Sequence, residues 1–168
     1  MPTIEYEPDG ATLRRFFRSE AFVRGLIGPL GSGKTTACIV ELFRRATQQA
    51  PDSEGVRRTR WAAIRSTFPE LRTTTIPSWR GWFGDSFGAF NWTPPFSHRL
   101  LFPLGDGTRV DAEVLFIALD GPDAADKIKG LELTGGWINE AREVPKLVLD
   151  TLLGRVGRYP PMRDGGPT

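Results

Sequence analysis

The chain has 168 residues, 39% of them hydrophobic and 25% charged, which suits one domain with a real core and excludes a disordered or fibrous protein. No apolar stretch reaches the length of a membrane span, and the start, Met1-Pro2-Thr3-Ile4-Glu5, has neither the basic nor the apolar region of a signal peptide. A net charge of +2 with one cysteine and one histidine excludes an internal disulfide and leaves little basis for a zinc site. It is compatible with a phosphate-backbone partner without demanding one.

In chain order, the first predicted element is a short helix that Asp9 can cap, with Leu13, Phe16 and Phe17 as its apolar stripe. An apolar run over 22–27 then reads as a strand. It enters Gly28-Pro29-Leu30-Gly31-Ser32-Gly33-Lys34-Thr35-Thr36, a complete G-x-x-x-x-G-K-T phosphate loop. Behind it Ile39, Leu42, Phe43 and Ala46 fall at i, i+3, i+4 and i+7, so a helix follows. Gly28, Gly31 and Gly33 let the backbone curl so that its N–H groups face an anion, and the helix dipole adds positive charge at the same point. Lys34 would reach the β- and γ-phosphates of ATP, and the Thr35 hydroxyl would sit on Mg²⁺. The whole loop, 28–36, is the predicted nucleotide site. Cys38 is assigned to packing.

A polar loop carrying Pro51 and Gly55 is predicted over 48–59. Arg57, Arg58 and Arg60 cluster before the next strand, as a phosphate-binding surface or as a solvated one. Trp61-Ala62-Ala63-Ile64 reads as a buried strand that ends at Arg65-Ser66-Thr67. Over 73–95, Trp79, Trp82, Phe83, Phe87, Phe90 and Trp92 stand among glycines and prolines. A satellite core under a long loop is favoured there over a base-stacking surface. Leu100-Leu101-Phe102 and Val110-Asp111-Ala112 flank Gly105-Asp106-Gly107, a hairpin signal, and the second arm runs on through the apolar 114–118. His98 opens this hairpin in a structural role. A last strand over 136–140 precedes a helix that Pro145 opens and Gly154 closes. Arg155, Arg158 and Arg163 crowd the end. Strands alternating with helices predict an α/β fold of one domain over 1–168, a mostly parallel sheet sandwiched by helices plus an antiparallel hairpin.

A phosphate loop alone does not separate a kinase, a switch GTPase and a motor ATPase, but a carboxylate at the end of a nearby strand does. Glu140 ends an apolar strand and is assigned as general base or water-orienting residue. Asn139 stands where an Asp would normally join the Mg²⁺ shell. It can hold the metal only through water, which predicts weaker metal affinity.

Several runs resemble the ATPase domain of the large terminase subunit of tailed bacteriophages. They are Arg24-Gly25-Leu26-Ile27 with the phosphate loop, Arg65-Ser66-Thr67-Phe68-Pro69-Glu70-Leu71, Leu131-Glu132-Leu133-Thr134-Gly135-Gly136-Trp137-Ile138-Asn139-Glu140-Ala141-Arg142-Glu143-Val144-Pro145, and Gly154-Arg155-Val156-Gly157-Arg158-Tyr159-Pro160. The resemblance implies a P-loop NTPase of the additional-strand, catalytic-glutamate (ASCE) type. It implies a ring of subunits at the portal vertex of an empty capsid in the host cytoplasm, turning hydrolysis of Mg·ATP into translocation of double-stranded DNA. The portal protein and the small terminase subunit would be partners. Lys34, Thr35 and Glu140 would carry the chemistry, and Arg65 would lie near the nucleotide or couple it to DNA. The resemblance departs at Pro29 and Leu30, where many terminases carry an arginine, and at Lys127 and Lys129, which replace a trans-acting arginine. Lys129, Arg142, Arg155 and Arg158 are therefore the candidate fingers. The nuclease domain and the C-terminal part of the sheet are expected to be missing, and with them the element that relays hydrolysis to movement. The alternatives are a helicase or repair ATPase, a small-molecule kinase and a non-catalytic nucleotide-binding scaffold.

Overall fold

The computed structural model describes residues 4–120 and 125–166. The expected loop-like end, 163–168, is therefore described as far as Gly166. Its core is a five-stranded sheet in the order β2-β3-β4-β1-β5, formed by β1 (Val56–Arg65), β2 (Phe90–Asn91), β3 (Ser97–Pro103), β4 (Arg109–Ala118) and β5 (Gly135–Ile138). β4, β1 and β5 run parallel, whereas β3 and β2 join antiparallel at the β4 side. The predicted hairpin is thus β3–β4. Its turn closes through Leu104 N–H to Thr108 O at 2.8 Å.

Alternation along β1 divides the core between two layers of helices. Trp61 and Ala63 face α2 (Lys34–Gln48) and α4 (Ile76–Trp82), while Ala62 and Ile64 face α5 (Asp126–Lys129) and α6 (Lys146–Leu153). This confirms the helix-sheet-helix sandwich. The first helix, α1 (Gly10–Arg18), packs on α2 through Leu13. Asp9 stands at its N-cap but makes no side-chain capping bond.

Three expectations are corrected. The run 22–27 is not a strand: Phe22 is 73% and Ile27 98% exposed. No described strand lies beside it, and apolar β-prone residues form a strand only where an edge offers backbone partners. The loop predicted over 48–59 stops at Gly55, because β1 begins at Val56. Arg58 and Arg60 belong to that strand and pair across it with Asp111 and Glu113. Arg57 reaches Asp106 in the hairpin turn, so this cluster is neutralised within the fold.

The aromatic segment is not a satellite. The short helix α3 (Phe68–Glu70), a π-helical turn at Leu71–Thr75 and α4 form one bent helical stretch. Trp79 and Phe83 on it join Phe43, Phe87 and Phe102 in the main core. Pro77 cannot donate a backbone hydrogen bond, and the irregular turn precedes it. His98 is buried as expected. Its Nδ1 accepts from Trp79 Nε1 at 2.9 Å and its Nε2 lies 2.9 Å from Gly88 O, which assigns the Nε2–H tautomer.

Candidate nucleotide-binding site

α2 runs antiparallel to β1. Its C-terminal neighbour Gln49 accepts from Arg57 at the start of β1, through a guanidinium bond of 2.6 Å. The N-terminus of α2, carrying the glycine-rich loop, therefore lies toward the carboxyl ends of the parallel strands. In open α/β sheets that is where ligands bind.

The loop is built as its sequence demands. Gly31 and Gly33 have φ of 74° and 75°, the left-handed region that other residues enter only at a cost. Gly33 is the N-cap of α2, and the first intrahelical bond is Ala37 N–H to Gly33 O at 2.9 Å. The amides before it have no partner of that type and sit at the positive end of a 15-residue helix. Lys34 folds back over the loop, donating through Nζ to Gly28 O at 2.9 Å and Pro29 O at 2.6 Å. Its ammonium occupies a cradle of carbonyls that an anionic ligand can compete for. Beside the loop is an open cavity of about 530 Å³, within the range of small-molecule sites. Gly28, Pro29, Gly31, Ser32, Gly33, Lys34 and Thr36 line one wall. Leu30 points to solvent, 96% exposed, and Thr35 does not line the cavity.

The opposite wall, Tyr6 to Leu13, was not anticipated. No motif marks it; only the packing of Leu13 beside Gly33 brings it there. α1 is tied to α2 by a buried carboxylate, Glu41, which holds Arg24, Arg44 and Arg45 at 2.7–2.8 Å. These guanidiniums also donate to Phe16 O, Phe17 O and Ser19 O at the C-terminal end of α1. Burial works to raise the Glu41 pKa, and its three arginine bonds outweigh that and lower it. Burial pushes the Cys38 thiol up to about 12, which fits packing and not reactivity.

β5 ends at Ile138, so Asn139 and Glu140 follow the strand and do not complete it. Asn139 N–H still bonds Ile64 O at 2.9 Å, and its Nδ2 donates to Thr75 Oγ1 at 3.1 Å. Glu140 has φ 58° and ψ 59°, and it is the single non-glycine residue with positive φ among the described residues. Such strain costs about 1–3 kcal/mol and gathers at functional sites. Glu140 does not line the cavity beside the phosphate loop. Both belong to the carboxyl end of the sheet, but the structure does not join them in one pocket, because 22–27 is not anchored in the sheet beside β5.

Arg65 is buried away from the loop. It reaches Glu70 at 3.2 Å, Glu143 at 3.5 Å and Asn139 O at 3.4 Å, while its Nε is buried without a partner. Hydrogen bonds from Ser66 and then Thr67, with Arg65 beside them, hold the Glu70 carboxyl below its usual range. Arg142 lies 3.7 Å from Glu140. Lys127 ties down the end of β4 through Ala118 O and Asp120, and Lys129 pairs with Asp126. Arg155 and Arg158 flank the bridge between Leu133 and Val156 at the amino end of β5. Seven residues of nearly extended chain put Glu140 roughly 20 Å from them.

No protein-family model and no curated protein matches the sequence. Among solved structures the chain shares its fold with the large terminase from a thermophilic bacteriophage. In one crystal form the likeness covers 87% of this chain and 34% of that one, with a TM-score of 0.58 and 14% identity. In another it covers 76% and 29%, with a TM-score of 0.57 at the same identity. In a complex of that terminase with ADP it again covers 76% and 29%, with a TM-score of 0.56 and 14% identity. The chain thus spans about a third of the length of these neighbours.

Proposed function

We infer that this chain binds and hydrolyses ATP as the motor domain of a viral DNA-packaging machine of the large-terminase kind, with a P-loop fold of the ASCE type. The observation that carries the reading is the glycine-built loop at the head of α2, opening on a cavity of about 530 Å³. The fold shared with a large terminase, one crystal of which holds ADP, supports it.

The loop amides and the α2 dipole would hold the triphosphate, with Lys34 leaving Gly28 O and Pro29 O for the phosphate oxygens. Mg²⁺ would neutralise charge on those oxygens. By the loop motif the Thr35 hydroxyl would bind it, and Asn139 Oδ1 would accept from one of its waters, since Nδ2 already serves Thr75. Glu140, held at φ 58°, would orient and deprotonate the attacking water. Arg155 and Arg158 stand too far from Glu140 to serve the same subunit, so a finger role for either would act on a neighbour in a homo-oligomeric ring, whereas Arg142, 3.7 Å from Glu140, could act within its own subunit; Lys129 is the remaining candidate. Double-stranded DNA, the portal protein and the small terminase subunit are the partners of this reading, at the portal vertex in the host cytoplasm. Among the described residues no helix is long and apolar enough to cross a membrane.

The test is phosphate release from Mg·ATP by wild type and Glu140→Ala, with and without duplex DNA and across protein concentration. Release that depends on Glu140 and rises more than linearly with protein supports a ring-completed hydrolase. Release only on adding a small-molecule acceptor would replace it with a kinase.

A further inference from the structure

We propose that the outer face of α1, carrying Arg14, Arg15 and Arg18, is a docking surface for the phosphate backbone of double-stranded DNA. The three arginines are exposed, and among the described residues none forms an ion pair. Arg14 and Arg18 are four residues apart and Arg15 and Arg18 three, so they share one face, where like charges destabilise a helix. The C-terminal end of the α1 dipole offsets part of that repulsion at Arg15 and Arg18, and a polyanion from outside the chain would turn the remainder into attraction. The other arginine-rich segment, Arg57 to Arg60, is already matched to Asp106, Asp52, Asp111 and Glu113.

The rest of α1 decides the class of polyanion. An anionic membrane would need an apolar face, but Leu13 is buried, Arg24 covers the Phe16 ring at 4.8 Å and Tyr6 packs on Phe17 at 5.6 Å. A single strand is normally gripped by rings that stack on its bases, and α1 exposes none. A duplex needs only charge. It presents one phosphate charge per about 1.7 Å of axis, so a turn of helix about 6 Å long meets several phosphates together. The N-terminal residues of the same helix, Gly10 to Leu13, line the cavity beside the phosphate loop. One rigid element would then touch nucleotide and DNA. The choice of DNA over other duplex polyanions rests on the proposed function; duplex binding by α1 does not.

The experiment is fluorescence anisotropy of a labelled 30-base-pair DNA of mixed sequence, titrated with the full chain from 50 to 200 mM KCl. Wild type should bind with log affinity falling linearly against log salt. The variant R14A/R15A/R18A should lose at least tenfold at 50 mM and show a slope smaller by about 2 to 3. R14Q/R18Q should show a slope change near 2, R14K/R15K/R18K should keep binding, and R58A/R60A should bind like wild type. Circular dichroism melting establishes that each variant is folded. A folded triple-alanine variant that binds like wild type overturns the proposal, as does tighter binding to single-stranded DNA or to phosphatidylserine vesicles. Titration with a fluorescent ADP analogue separates the two readings. Duplex binding without ADP binding sinks the nucleotide site alone, and ADP binding without duplex binding sinks this surface alone.

Discussion

The two ends of the parallel strands are built on different principles. At the amino end three arginines meet carboxylates across the sheet: Arg58 pairs with Asp52 and Asp111, Arg99 with Asp111, and Arg60 with Glu113 while lying over the Tyr159 ring. The backbone there carries no non-glycine outlier. At the carboxyl end Lys34 is held by the loop's own carbonyls and the Ser32 hydroxyl with no carboxylate partner, Arg65 has a buried unpartnered Nε, and Glu140 sits at positive φ. Stability is secured at one end and left unfinished at the other. The unfinished end is where a ligand would complete the bonding.

The sharpest way to break this contrast is at Glu140. Glu140→Ala should lower turnover by about 10²- to 10⁴-fold while leaving affinity for ADP within a few fold. Glu140→Gly should be equally inactive yet more stable than wild type, by about 1 kcal/mol in urea unfolding, because glycine accepts the left-handed conformation. A Glu140→Gly protein no more stable than wild type would show that the backbone there is unstrained.

Between the two ends, His98 sharpens the comparison through pH. Burial holds its pKa below the ordinary 6.5, Gly88 O partly offsetting this, so the unfolded chain takes up a proton that the folded chain refuses. Its contribution is fully present above pH 6.5 and is lost as pH falls through the depressed folded value. His98 is the sole histidine, so wild type should be less stable at pH 5 than at pH 7 in urea unfolding. His98→Gln should lack most of that difference.

The smallest effect belongs to the amino end. Arg60→Ala removes a half-exposed ion pair and a ring contact, and should cost no more than about 1 kcal/mol with ATP turnover unchanged. A loss of turnover would mean that this end also serves the reaction.

The conformation of the glycine-rich loop was legible in the sequence because it is local: Gly31 and Gly33 are required by their own φ, whatever surrounds them. The hairpin and α6 were legible for the same reason, through turn and capping residues. The strand reading of 22–27 failed because pairing is not local. Glu140 was legible as a carboxylate after an apolar strand, but its backbone strain was not, since it arises from how β5 meets the turn at Ala141–Glu143. Arg57, Arg58 and Arg60 disguised the first half of β1, because a polar run and a strand whose open face is ion-paired look alike until the facing carboxylates are known.

The sequence by itself determined the glycine-built shape of the loop, the period of the helices and the positions of the turns, all fixed by interactions within a few residues. The tertiary structure alone decided which arginines are neutralised and which face solvent, that the aromatic segment belongs to the main core, and that Tyr6 to Leu13 forms the second wall of the cavity. Those depend on contacts between residues far apart in the chain, and no local pattern encodes which partner will be there.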